Sequence, residues 1–298
     1  MKILVLGGCG MAGHMIYTYL NDCNDEAGNK KYAVNATFIH EKAYIKGIKI
    51  DIEHDLRILF AHIDSEKYDA VINCIGLLVS DCQSHPSRAA YINGLFPHLL
   101  SRHLKSSQTR LIHLSTDCVF NGKLGEYREN FIPNEDSNYG FTKSCGEKLN
   151  FDKDLVLRLS IIGPELKLSG TGLFHWFMNQ TGKIFGYSKV YWNGITTLQL
   201  AEHLDEILGR PQITGIYHLC PDFCITKYRL LQLFKEIWKR DDINIEENHT
   251  TVCDKTLVDT REQLMTVIPT YDAMIYKMRD WMLLHKQLYS DNGIHYKT

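Results

Sequence analysis

Seven residues near the start of the chain, Gly7-Gly8-Cys9-Gly10-Met11-Ala12-Gly13, decide how the rest is read. They follow an apolar run rich in β-branched residues, Lys2–Leu6, that stops at glycine and therefore reads as a buried parallel strand. Apolar residues at helical spacing come next: Met11, Met15, Ile16, Tyr19 and Leu20. Glycines between a strand and a helix let the backbone approach a pyrophosphate, and the helix N-terminus supplies N–H groups and a partial positive charge. Two registers fit, Gly8-x-Gly10-x-x-Gly13 and Gly7-x-x-Gly10-x-x-Gly13. A tight turn without a ligand is the alternative, and the flanking strand and helix favour the nucleotide.

Working outward, Val34–Ile39, Ile48–Ile50 (ending at Asp51), Ala70–Ile75, Leu111–Ser115 and Leu155–Ser160 read as further strands. Pro86–Lys105 and Tyr139–Leu149 read as helices. Strands alternating with helices predict an α/β fold, a Rossmann doubly wound parallel sheet that binds ligands at the carboxyl ends of its strands. Residues 1–162 form the expected NAD(P)-binding domain. Residues 163–298 form a smaller, interleaved substrate-binding part, with helices near 196–208 and 226–239. A strand within 215–220 is expected to return to the main sheet.

The bulk numbers narrow the function. A net charge of −2 over 298 residues gives no field to hold a nucleic acid backbone. No apolar segment approaches the ~18 residues of a membrane span. Nine cysteines, an odd count without C-x-x-C pairs, suggest a reducing, cytoplasmic setting. Cys220 and Cys224 read as packing thiols rather than zinc ligands, and the fourteen histidines share no metal-ligand spacing, so no metal is expected.

Two stretches carry the chemistry. "HLSTDCVFNG" ends the fifth strand with Thr116, Asp117 and Cys118, and "NYGFTKSCGEKL" places Tyr139 and Lys143 one helical turn apart. A free tyrosine has a pKa of ~10, and a neighbouring ammonium is expected to lower it. The pair then exchanges a proton with a carbonyl oxygen while hydride arrives at carbon, and Thr116 donates a hydrogen bond to the same oxygen. Y-x-x-x-K alone is common by chance, and a surface helix pair is the alternative. Following a glycine turn and a strand-end S-T-D, it becomes a strong signal. For the cofactor, the second strand ends in "FIHEKAY": Glu41 favours the ribose 2′-OH of NADH, whereas His40 and Lys42 favour the 2′-phosphate of NADPH. The reading leans to NADPH with NADH left open.

These motifs, with "VINCIG", "YINGLFPHLL" and "LVLRLSIIG", resemble the extended short-chain dehydrogenase/reductases, within them the dTDP-4-dehydrorhamnose reductase group. The resemblance runs from residue 1 to about 163, and more weakly to about 220. It implies the register Gly7-x-x-Gly10-x-x-Gly13, with Gly10, Met11 and Ala12 along the pyrophosphate. It also implies Asp51 and Ile52 at the adenine, and Cys74, Ile75 and Gly76 at the cofactor's middle. Thr116, Tyr139 and Lys143 would be catalytic, Lys143 would bond the nicotinamide ribose, and Thr116 and Asp117 would face the sugar. The implied reaction is reduction of the 4-keto group of a nucleotide-activated 6-deoxyhexose, and the implied assembly is a homodimer.

Two departures from the group stand out. Ile161 replaces a sugar-contacting tryptophan, and Cys118 occupies the position of an epimerising cysteine in related enzymes, with His175 as its candidate partner. A bifunctional 3-epimerase/4-reductase therefore stays open, as does a non-catalytic NADP-binding regulatory subunit. In the second half, Trp192 is a candidate stacking residue for base or sugar. Lys167, Lys189 and Arg261 are candidate diphosphate contacts.

Overall fold

The computed structural model describes residues 1–296. Its centre is a parallel sheet of seven strands: β1 (Lys2–Leu6), β2 (Ala33–Phe38), β3 (Gly47–Lys49), β4 (Ala70–Asn73), β5 (Arg110–Leu114), β6 (Leu155–Arg158) and a late strand, Gly215–His218. They lie in the order β3-β2-β1-β4-β5-β6, with Gly215–His218 pairing outside β6. The order reverses between β1 and β4, which opens a crevice at their carboxyl ends.

Both faces of this sheet are covered, so its strands read as continuous apolar runs. Within β1, Ile3 and Val5 pack on one side with Met15 and Ile16 of helix α1 (Met11–Asp22). Leu4 and Leu6 pack on the other side with Leu59 and Ile63 of helix α2 (Leu56–Glu66) and with Phe96 and Leu100. The two-residue period of the strand sends alternate side chains into separate cores.

The turn after β1 is built on close approach. Gly7 has φ +78°, a left-handed conformation that costs glycine little. Its carbonyl accepts from the Gly10 N–H at 2.9 Å. A Cβ on Gly13 would lie 2.2 Å from that same carbonyl oxygen, so α1 seats directly on the turn. Gly8 faces β2, where a Cβ would meet the Ala36 methyl.

The long helix read over Pro86–Lys105 is in fact interrupted. Pro86–Ala89 and Phe96–Leu104 are α-helical, and Ala90–Leu95 between them is a wider π-helical turn. Pro97 has no N–H to give the Asn93 carbonyl four residues earlier, which removes one α-helical bond at that place. The helix bearing Tyr139 and Lys143, Asn138–Cys145, ends earlier than its apolar spacing suggested. The Gly146 N–H closes it on the Lys143 carbonyl.

Beyond β6 the chain makes small sheets. Ile161–Ile162 pairs with Ile195–Thr196, and Gly182–Tyr187 pairs with Ile243–Asn248. Val190–Trp192 lies between Ile225–Thr226 and Cys253–Asp254. Helices Thr197–Leu208, Lys227–Ile237 and Tyr271–Leu284 pack on these. The Cys220 thiol is buried against the Leu257 carbonyl, and Cys224 is exposed. Among the described residues no helix is long and apolar enough to cross a membrane, and no three His, Cys, Asp or Glu side chains gather as a metal site.

Replacing a helical glycine by alanine ordinarily stabilises by about 1 kcal/mol. Gly13→Ala is expected to do the reverse, lowering the melting temperature in thermal unfolding, because the new methyl meets the Gly7 carbonyl. An unchanged or raised melting temperature would contradict this packing.

Candidate active site

A cleft of about 670 Å³ lies at the carboxyl ends of β1 to β4. Gly7 and Gly10 floor it, His40 and Lys42 stand beyond the end of β2, and Asp51 and Ile52 follow β3. Cys74, Ile75 and Gly76 follow β4. Lys167, Leu168 and Ser169, from the segment after β6, form the facing wall. Of the residues singled out for a dinucleotide, Gly7, Gly10, His40, Asp51, Ile52, Cys74, Ile75 and Gly76 line the cleft, whereas Met11, Ala12, Gly13, Tyr139 and Lys143 are not among its lining residues. Gly7 and Gly10 line it and Gly8 does not, which matches the Gly7-x-x-Gly10-x-x-Gly13 register. Met11 and Ala12 open α1, whose N-terminus carries no side-chain cap, so backbone N–H groups of its first turn are not taken by one. Glu41, the acid that favoured NADH, is not among the lining residues, whereas His40 and Lys42 are.

The cleft runs into the second group of residues at Gly76. A Cβ there would lie 3.8 Å from the Lys143 ammonium and 3.4 Å from the Asn93 amide oxygen. Lys143 is buried and donates to the Leu114 carbonyl, the last of β5, at 2.7 Å. Burial pulls the ammonium down to about 8, with Glu147 acting the other way. Thr116 follows β5 and caps the short turn Asp117–Val119: its hydroxyl accepts from the Cys118 N–H and donates to the Asp117 carboxylate at 3.0 Å. The Tyr139 phenol lies beside these groups. Burial pushes it above its ordinary range, the charges of Cys118 and Asp117 push the same way, and a hydrogen bond from Thr116 opposes them. The sequence reading expected Lys143 to lower this value. Instead the loss of water around the phenol outweighs every favourable contact.

Below the strand end lies a buried ion pair. Arg158 of β6 donates to both carboxylate oxygens of Glu147, at 2.9 and 2.7 Å. Glu147 also accepts from the Ser115 hydroxyl at 2.5 Å. Arg158 further donates to the Glu129 carbonyl and to His218, whose imidazole burial holds down to about 4. On the other side, the Asn93 amide oxygen accepts from the Leu77 N–H, and its NH₂ donates to the Leu77 carbonyl, the Cys82 sulfur and Thr142. Sequence reasoning did not single out Arg158, Glu147 or Asn93. The signals were present: a charged residue inside an apolar strand, an acid one turn beyond Lys143, and a polar residue in a helix ahead of Pro97.

Several candidates of the second half are engaged elsewhere. Trp192 is buried, its indole N–H donates to Ser160 at 2.8 Å, and the Lys227 ammonium covers its face at 4.7 Å. No open ring face is left for a base or sugar to stack on. His175 is buried with both ring nitrogens used, one on the Tyr296 hydroxyl and one on the Leu168 carbonyl. Arg261 donates to the carbonyls of Thr214 and Ile216 and to Gln263. Lys189 is exposed, and Ile161 pairs with Ile195. Cys118 lies next to Thr116 and Asp117, and burial pushes its thiol up to about 12.

With this geometry in view, the comparisons with known proteins are specific. Residues 1–256 match the family described as RmlD substrate binding domain. The chain belongs to this family. A dTDP-4-dehydrorhamnose reductase from Clostridium acetobutylicum superposes with TM-score 0.78 at 21% identity, over 95% of this chain and 100% of that one. The Bacillus anthracis reductase, solved in complex with NADP, gives TM-score 0.76 at 15% identity, over 94% of this chain and 99% of that one. At these identities the likeness establishes the fold. Among curated relatives, the probable low-salt glycan biosynthesis reductase Agl14 of Haloferax volcanii is 29% identical over 54% of each chain. The methionine adenosyltransferase 2 subunit beta of Xenopus tropicalis is 26% identical over 77% of this chain and 70% of its own. The chain thus spans about half of the first relative's length.

Breaking a buried ion pair by removing one partner costs about 3–5 kcal/mol. Arg158→Met should therefore destabilise the chain by that order in denaturant unfolding, since it leaves Glu147 buried without its cation. A loss below about 1 kcal/mol, the range of an exposed pair, would contradict the buried arrangement.

Proposed function

We propose that this protein is an NAD(P)H-dependent reductase acting on the 4-keto group of a nucleotide-activated 4-keto-6-deoxyhexose. The observation that carries the reading is the junction at Gly76, where the nucleotide cleft meets the buried Lys143 ammonium, on the same helix as Tyr139 and bonded to the strand end that leads to Thr116. Gly7 and Gly10 at the floor of the cleft, beside a helix N-terminus with no side-chain cap, suit a pyrophosphate, and a cleft of about 670 Å³ suits a dinucleotide. His40 and Lys42 at the adenosine end support NADPH over NADH. When bound, the reduced nicotinamide supplies the hydride to C4.

The chain's own residues supply the rest. Tyr139 gives its proton to O4 as negative charge develops there. A phenol held above its ordinary range stays loaded with that proton at neutral pH, which is the state a reduction needs. Thr116, whose single O–H rests on Asp117 in the free protein, turns that O–H to the same oxygen when the substrate is bound. Lys143 holds the nicotinamide ribose and sets a positive charge beside the phenol. Asp117, tied to Thr116, faces the sugar hydroxyls.

Epimerisation at C3 is not part of this reading. A thiol raised to about 12 is a poor source of thiolate, and His175 has no free ring nitrogen to act as its partner. The second reading is a non-catalytic NADP-binding subunit, favoured by the match to subunit beta over 77% of this chain. The retained Thr116, Tyr139 and Lys143 favour the enzyme, since a pure binder needs no acid.

The direct test follows oxidation of NADPH and NADH with a panel of 4-keto-6-deoxy nucleotide sugars. Turnover of at least one supports the reductase, and cofactor binding without any turnover supports the subunit. Tyr139→Phe should cut kcat by at least about a hundredfold, the low end of what a positioned acid contributes, while cofactor affinity stays unchanged. Retained turnover would remove Tyr139 as the acid.

The pH dependence follows from Lys143. Its folded value of about 8 lies below its ordinary 10.5. The buried ammonium therefore destabilises the fold below pH 8, and that penalty is relieved as pH rises toward 10.5. Activity moves oppositely, because the neutral amine loses its charge against the phenol. The rate of reduction should fall above about pH 8, by about tenfold per unit in a pH–rate profile. A profile flat to pH 10 would count against Lys143.

A further inference from the structure

The three-stranded sheet of the second half holds two lysines over the catalytic turn. Val190–Trp192 is its middle strand. On one side Ile225–Thr226 pairs with it and leads directly into Lys227, the first residue of helix Lys227–Ile237. On the other side Cys253–Asp254 pairs with it and leads into Lys255. Both ammonium groups are within electrostatic reach of Asp117 and Cys118, next to Thr116 and Tyr139.

The two differ in one respect. Lys255 is satisfied by an ion pair with Glu135 at 3.0 Å. Lys227 is half-buried, rests on the Trp192 ring at 4.7 Å, and makes no hydrogen bond or ion pair among the described residues. Asp117 attracts it from a distance without closing on it. Burial draws the ammonium down to about 8, as expected of a cation whose lost water is not fully replaced. Charges drawn largely out of water are ordinarily paired, and Lys227 leaves a place for an anion from outside the chain. A nucleotide-activated hexose carries its formal negative charge on the diphosphate, adjacent to C1 of the sugar.

We infer that Lys227, seated on Trp192 beside the catalytic turn, binds the diphosphate of the nucleotide sugar. This rests on the reductase reading and adds to it the residue that anchors the substrate. It also gives Trp192 a role other than stacking: the ring orients the cation that meets the phosphates.

The test is calorimetric titration of the NADPH-loaded full chain with dTDP, UDP and GDP, using thymidine, uridine and guanosine as phosphate-free controls. In Lys227→Gln the best-bound diphosphate should lose about tenfold to a hundredfold in affinity, as expected for a charge-assisted hydrogen bond. NADPH binding, read by its fluorescence, should be unchanged and reports that the variant is folded. Lys227→Arg, which keeps the charge, should hold affinity within about threefold, under 1 kcal/mol. A Lys227→Gln protein that binds the diphosphate like wild type overturns the assignment while leaving the reductase reading intact. Equal losses in Lys227→Gln and Lys227→Arg also overturn it, since packing rather than charge would then matter. If wild type binds none of the three diphosphates, the nucleotide-sugar reading falls, and Lys227 falls with it.

Discussion

One hydrogen bond organises the chemistry of this fold: the Lys143 ammonium on the Leu114 carbonyl. It ties the helix carrying Tyr139 to the carboxyl end of the fifth strand, where Thr116 and Asp117 emerge. The ammonium cannot reach that carbonyl without losing water, so the bond and the depressed pKa have one cause. From the other side, Glu147 holds Ser115 and is itself held by Arg158. A strand end pinned on two sides keeps its next residue in place, and that residue is Thr116.

The electrostatics of the site follow from burial more than from pairing. The Tyr139 phenol is pushed up, the Lys143 ammonium on the same helix is pulled down, and the Cys118 thiol is pushed up. Each shift disfavours the charged form, as expected where water is removed before a ligand's charges arrive. Such a site suits a reaction that consumes a proton at a developing oxyanion. It does not suit a thiolate.

The curated relatives of this chain include reductases and a methionine adenosyltransferase subunit. A cleft at the switch point of a parallel sheet comes with the topology. What is done there depends on the groups at its far end, here Gly76, Lys143, Tyr139 and Thr116, rather than on the fold.

The amino-acid sequence alone determined what depends on local pattern. The apolar runs marked six strands of the central sheet, the turn at residues 7–13 marked the cleft, and the spacing of Tyr139 and Lys143 marked one helical face. The helices near 196–208 and 226–239 were legible too, and the structure has them at Thr197–Leu208 and Lys227–Ile237. The tertiary structure decided the rest. The packing of Trp192, His175 and Arg261 depends on partners dozens to more than a hundred residues away. Protonation depends on how much water those partners remove. Spacing along a chain fixes which residues share a face, but desolvation is a property of everything packed around a group, and it exists only once the chain has folded.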